Sequence, residues 1–151
     1  MIRLATIGYE SATVRSFLDA LRDEGVELVV DVRAVASSRR PGFAKTKLAA
    51  NLQEAGIDYL HLRGLGTPPD GRAAARAGDH DVLQRIYAEH LSTPEAQDQL
   101  EQLCDLVVSG RRVCLLCLEA RPEHCHRSLV AAALAARASV EIVNLMPGEE
   151  D

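Results

Sequence analysis

The sequence predicts an α/β fold: a mainly parallel sheet with helices on both faces, forming a single three-layer domain. Three observations predict it. Short apolar runs rich in Val, Ile and Leu alternate with segments of helical periodicity along the whole chain. The runs are continuous rather than alternating, as in strands buried on both faces. At 151 residues, 47% of them hydrophobic, the chain is the size of one domain and can bury a core.

The elements follow in order. Ile2–Ile7 is a short apolar strand ending at Gly8. Thr13–Asp23 carries Val14, Phe17, Leu18 and Leu21 at helical spacing, with Gly25 as its stop. Glu27–Val32 is a β-branched run of the buried parallel type. A basic Ser/Arg/Pro/Gly loop runs on to Ala44, then Lys45–Ala55 is helical and stopped by Gly56, and Ile57–Leu62 is the third strand. Gly64–Asp79 has no apolar period and reads as a long loop, the place for a lid or a binding loop. Asp81–Leu91 and Pro94–Val108 read as helices, the second capped by Ser92 or Thr93 with Pro94 at its first position. Arg112–Cys117 is a strand, His126–Arg137 an Ala/Leu helix and Val140–Leu145 the last strand. No linker or repeat divides residues 1–148, and the acidic residues 149–151 are expected to fray.

Composition narrows the function. No apolar run reaches the roughly 18–20 residues of a membrane span. The start, Met-Ile-Arg-Leu-Ala-Thr, reads as strand rather than signal peptide. The four cysteines (104, 114, 117, 125) are too sparse for a disulfide scaffold, so a cytoplasmic protein with reduced thiols is expected. Cys104 and Cys114 fall on helix and strand patterns and read as core. A net charge of −5 and five Phe or Tyr without Trp disfavour a general polyanion binder. Locally, however, Arg33–Lys47 holds five basic residues and no acidic one, which suits a small anion or a few phosphates.

In a parallel sheet the carboxyl ends of all strands share one edge, where ligands bind. The polar residues of this chain gather there: Gly8, Tyr9 and Glu10 after the first strand, and Asp31 and Arg33 after the second, with Ser38 and Arg39 in its loop. His61, Leu65 and Gly66 follow the third, Cys117 and Glu119 the fourth. Several also suit plain roles. Asp31 can hold Arg33, Gly8 and Gly66 can serve turns, Tyr9 can pack, and His61 can satisfy backbone. His80 and His90 belong to helix surfaces.

The densest stretch is Val113–Ser128, with thiols at Cys117 and Cys125, carboxylates at Glu119 and Glu123, imidazoles at His124 and His126, and guanidiniums at Arg121 and Arg127. Cys125, His126 and Arg127 fall where a helix starts, which favours a bound anion and a thiolate. Either thiol is a candidate nucleophile, with Glu119, Asp31 or His126 as proton-transfer partner. Structural thiols are the alternative. Zinc is weighed and ranked below anion binding, because Cys-x-Glu followed by Cys-His lacks the paired Cys-x-x-Cys spacing and adjacent Cys125 and His126 suit one ion poorly. No metal and no cofactor is therefore assigned.

With those residues in hand, the chain resembles the family called "domain of unknown function 488". The matching pieces are Thr6-Ile-Gly-Tyr-Glu10, Asp31-Val-Arg33, Ser38-Arg-Arg-Pro-Gly-Phe43, Tyr59-Leu-His61 with Leu65-Gly66, and Cys117-Leu-Glu119 with Cys125-His-Arg127. The resemblance implies an α/β fold with a polar site built from these motifs, and names no reaction. Asp31-Val-Arg33, Cys117 and Arg127-Ser-Leu-Val also look similar to rhodanese-like and Cys-loop phosphatase domains. Nine residues separate Cys117 from Arg127, a longer interval than the anion-cradling loop of those domains.

The expectation is thus a composite polar site at the carboxyl edge for a small anionic, phosphate-bearing or nucleotide-like ligand. Arg33, Arg39 and Arg127 would hold the anion, with thiolate chemistry at Cys117 or Cys125. Whether this makes the protein an enzyme stays open. The alternatives are a nucleic-acid accessory module using residues 33–47, or a thiol-redox or zinc-binding protein. No membrane partner is expected, and the oligomeric state is left unassigned.

Overall fold

A computed structural model describes residues 2–119, 121 and 125–148. Glu123, His124 and the acidic tail predicted to fray lie outside the described residues. Five strands form one all-parallel sheet: β1 (Ile2–Gly8), β2 (Leu28–Asp31), β3 (Asp58–His61), β4 (Val113–Cys117) and β5 (Val140–Leu145), in the order β3-β2-β4-β1-β5. Six helices connect them: α1 (Val14–Glu24), α2 (Lys45–Glu54), α3 (Pro69–Arg76), α4 (His80–Leu91), α5 (Pro94–Val108) and α6 (Arg127–Ala135). The α/β class and the alternation of elements are as the sequence predicts.

Strand side chains alternate between faces, so the apolar runs feed two cores. Leu4, Val30 and Leu115 pack with Tyr87, Leu103 and Val130 of α4, α5 and α6. Ile7, Val29 and Leu116 pack with Phe17, Leu21, Leu48 and Leu52 of α1 and α2. That double burial explains why β2 and β4 are apolar at nearly every position. The helix boundaries have local causes. Thr13 caps α1 in a reciprocal pair with Ser16, and Gly25 ends it in the left-handed region at φ 75°. Thr93 caps α5 ahead of Pro94, resolving the choice between Ser92 and Thr93.

One segment departs from expectation. Residues 64–79, read as a loop, contain a turn of 3₁₀ helix (Arg63–Leu65) and the helix α3. Pro69 sits in the first turn with Asp70, where both favour a helix start. Ala73-Ala74-Ala75 then supplies helix propensity without an apolar stripe. Only Gly71 and Ala74 of α3 are buried, so no core-facing pattern was there to read. Among the described residues, no helix is long and apolar enough to cross a membrane.

Candidate functional site

The carboxyl ends of β1, β2 and β4 lie side by side, and two polar assemblies occupy them. The first is centred on Asp31, fully buried at the end of β2. Its carboxylate accepts the Arg33 backbone N–H at 3.0 Å, Arg33 Nε at 2.9 Å, Arg33 Nη2 at 2.6 Å and the Tyr59 hydroxyl at 2.6 Å. Arg33 Nη1 donates to the Tyr9 hydroxyl at 3.1 Å and the Phe43 carbonyl at 2.8 Å. Tyr9 in turn stacks on Phe43 with ring centroids 4.6 Å apart. His61, half-buried, bonds the Arg33 carbonyl through Nε2 at 2.7 Å. Burial and the hydrogen bond to Asp31 push the Tyr59 phenol up, so it stays a neutral donor. Asp31 therefore holds Arg33, and the structure does not bring it to the thiols.

The second assembly is chemically less closed. Cys117 ends β4, and its thiol lies 3.4 Å from Glu119 Oε2 and 3.5 Å from His126 Nδ1. Cys125 Sγ is 3.8 Å from the same Nδ1. His126 Nε2 lies 2.6 Å from the Val32 carbonyl. A carbonyl only accepts, so Nε2 carries a proton and Nδ1 is turned toward both sulfurs. Cys117, Cys125 and His126 are each no more than 6% exposed. Their sulfur and nitrogen atoms lie within 4.8 Å of one another, a group of the kind that holds a metal ion. The sequence spacing did not announce this convergence, for a physical reason. Cys125 and His126 precede the first turn of α6, on a bend that points both side chains back at Cys117.

The protonation pattern follows from this packing. Burial pushes Cys117 well up, reinforced by neighbouring Cys125 and Glu119. Burial also opposes the Cys125 thiolate, but the hydrogen bond from Cys117 and the charge of His126 bring it well below the usual thiol range. Glu119 is raised to about 7, first by burial and then by the charge of Cys125.

Two arginines brace these assemblies from within. Arg33 is 5% exposed and Arg127 fully buried. Arg127, expected to reach an anion, directs Nη1 at the Glu119 carbonyl at 2.5 Å, fixing the loop after β4. Gly8 explains the close fit: a Cβ there would lie 1.7 Å from the Glu119 carbonyl oxygen. Gly8 is a close-approach residue, and only a missing side chain lets β1 pass the loop.

A cleft of about 210 Å³ opens over the second assembly. Of the predicted residues it is lined by Tyr9, Arg33, Cys117, Glu119 and His126. Cys125 belongs to the thiol cluster without lining the cleft. Glu10 faces a wider neighbouring recess with Arg76 and Arg121. Ser38 accepts the Arg40 N–H at 3.1 Å, and neither Ser38 nor the exposed Arg39 lines either cavity. Within the basic segment, Arg40 donates to the Ala12 carbonyl, while Arg39, Lys45 and Lys47 are exposed. The sequence reading missed Thr67, Arg72 and Arg76, which also line the cleft, from α3 and the turn before it. Their signal was a pair of arginines four apart, beside a Gly/Pro segment following a strand at the same edge.

Fold and site together define an α/β protein with a thiol–imidazole–carboxylate cluster at the carboxyl edge of its sheet. The chain belongs to the family described as Domain of unknown function DUF488, whose family model matches residues 13–134. No curated protein and no solved structure matches it.

Proposed function

We propose that the cleft is a reaction centre for a small anionic ligand, phosphate-bearing or nucleotide-like, with its chemistry at the Cys117–Glu119–Cys125–His126 cluster. The observation that carries this reading is that one cleft of about 210 Å³ is lined both by the cluster residues Cys117, Glu119 and His126 and by two arginines, Arg72 and Arg76 of α3. Anion binding falls to the α3 pair because Arg33 and Arg127 are engaged inside the fold and Arg39 does not line the cleft. Arg33 is bound to Asp31, Tyr9 and Phe43, and Arg127 to the loop. Arg72, which lines the cleft, donates from Nη1 to the Thr67 carbonyl at 2.9 Å, which fixes its position. Thr67 and the Tyr9 edge offer neutral groups beside it.

Titration with inorganic phosphate and with a nucleoside monophosphate tests the reading. Removing a charge-assisted hydrogen bond is worth about 1.5–3 kcal/mol, so the Arg72→Ala/Arg76→Ala pair should weaken binding roughly tenfold or more. Unchanged affinity in that variant, or no binding of either probe by the parent protein, would refute it.

A further inference from the structure

We propose that Cys117, Cys125 and His126 are the ligands of a tetrahedral site for a zinc-like divalent cation, whose fourth position faces Glu119 and the cleft. The proposal rests on the reading of that cluster as the reaction centre and says what the cluster holds.

The distances carry it. Zinc binds thiolate sulfur at roughly 2.3 Å and imidazole nitrogen at roughly 2.0–2.1 Å. Two such bonds at a tetrahedral angle separate sulfur from nitrogen by roughly 3.5–3.6 Å. Cys117 Sγ and Cys125 Sγ lie 3.5 and 3.8 Å from His126 Nδ1. The two sulfur–nitrogen contacts of the cluster thus have the length of edges of a coordination tetrahedron, and Glu119 Oε2, 3.4 Å from Cys117 Sγ, stands beside it rather than among the three ligands.

The imidazole is set for the same role. A metal-bound histidine nearly always donates its second ring N–H to a carboxylate or backbone carbonyl, which fixes tautomer and orientation. His126 does this to Val32 at 2.6 Å and aims Nδ1 at both sulfurs. A nucleophilic cysteine needs one thiol beside an imidazole, and a redox dithiol needs no imidazole locked in this tautomer. Neither accounts for two buried thiols gathered around one ring nitrogen. Cys114 is the internal contrast. It is also fully buried, but it is turned to the other face of β4 and donates only to the Leu115 carbonyl, 3.7 Å away. Three protein ligands with an open fourth position is the arrangement of catalytic rather than structural zinc. It offers an oxygen donor of an anionic ligand a place between the cation and the α3 arginines.

The test uses the full chain, stripped of metal under reducing conditions and titrated with cobalt(II), then zinc. One equivalent of cobalt should bind with tetrahedral visible absorption and a sulfur-to-cobalt charge-transfer band, and zinc should displace it. Cys125→Ser and His126→Gln should each lose affinity by more than the roughly 10–100-fold that an outer-shell change costs. Cys114→Ser should leave binding unchanged. Absence of cobalt uptake by the reduced parent protein would overturn the proposal. So would uptake without the charge-transfer band, or a band that survives Cys125→Ser. Phosphate titration of the same stripped protein separates the two readings. Anion binding lost in Arg72→Ala/Arg76→Ala but no cobalt uptake leaves the cleft and removes the cation. A cobalt–thiolate spectrum in a protein that binds neither anion leaves the cation and removes the ligand.

Discussion

The Asp31–Arg33 assembly and the Cys117–His126 cluster end neighbouring strands, with Asp31 in register with Leu116, and both are buried. They use burial differently. Around Asp31 every strong donor finds an acceptor: guanidinium, phenol and backbone N–H converge on one carboxylate at 2.6–3.0 Å. Around His126 two thiols gather at 3.5 and 3.8 Å, with the Glu119 carboxylate 3.4 Å from Cys117, at distances longer than those of strong donor–acceptor pairs. The comparison teaches that a buried charge at the carboxyl edge does not by itself mark chemistry. A closed ion pair is an anchor. Basic atoms turned toward one another, with a cleft beside them, leave room for something to be bound.

The largest expected effect lies in the anchor. Asp31→Ala strands a buried guanidinium, and breaking such a pair from one side costs about 3–5 kcal/mol. Urea unfolding should show that loss. A change under about 1 kcal/mol would mean the pair is not the anchor described, and the contrast with the cluster would collapse. Next comes the cluster, tested by linkage. A cation that binds the folded state alone stabilises it by about 2.7 kcal/mol at a free concentration of 100 Kd. Zinc at that level should raise the unfolding midpoint of the parent protein and leave that of Cys117→Ser/Cys125→Ser unmoved. Equal shifts in both would place the zinc elsewhere.

Tyr59→Phe sharpens the anchor side. It removes one donor from the Asp31 carboxylate and keeps the ring, so about 2 kcal/mol is expected, the range for a hydrogen bond to a charged group. Cobalt binding should not change, because Tyr59 touches the anchor and not the thiols. A variant that lost both would show the two assemblies to be one energetic unit.

How much of this was legible in the sequence depends on what the side chains face. The order of strands and helices was readable because β2 and β4 are buried on both sides and α1 and α5 carry caps and apolar stripes. The loop after Cys117 was readable from its density of reactive groups. Helix α3 was not, since it packs little and leaves one side to the cleft. The hold of Asp31 on Arg33 was one of the readings open in the sequence; the fate of Arg127 was not. Charge alone puts a guanidinium in solvent, and only the fold shows Phe43 beside Arg33 and the Glu119 carbonyl beside Arg127. The meeting of Cys117, Cys125 and His126 was hidden for the same reason. Their spacing fits no familiar ligand pattern, because the convergence comes from the bend ahead of α6 rather than from one turn of chain.

The smallest expected effect is the one that most directly separates the two assemblies. Cys125→Ser in metal-free protein changes one buried atom. A thiol behaves as a small hydrophobe with weak hydrogen bonding, and near-isosteric changes in a packed interior usually cost less than about 1.5 kcal/mol. The oxygen can still donate to His126 Nδ1, which offsets part of the burial of a more polar group. Stability without metal should therefore fall by no more than about 1 kcal/mol, while cobalt affinity collapses. That combination, little structural cost with complete loss of function, is the reverse of what Asp31→Ala should give. If Cys125→Ser instead unfolded the protein as severely as the loss of Asp31, the thiols would be packing elements, and the cluster would belong with the anchor.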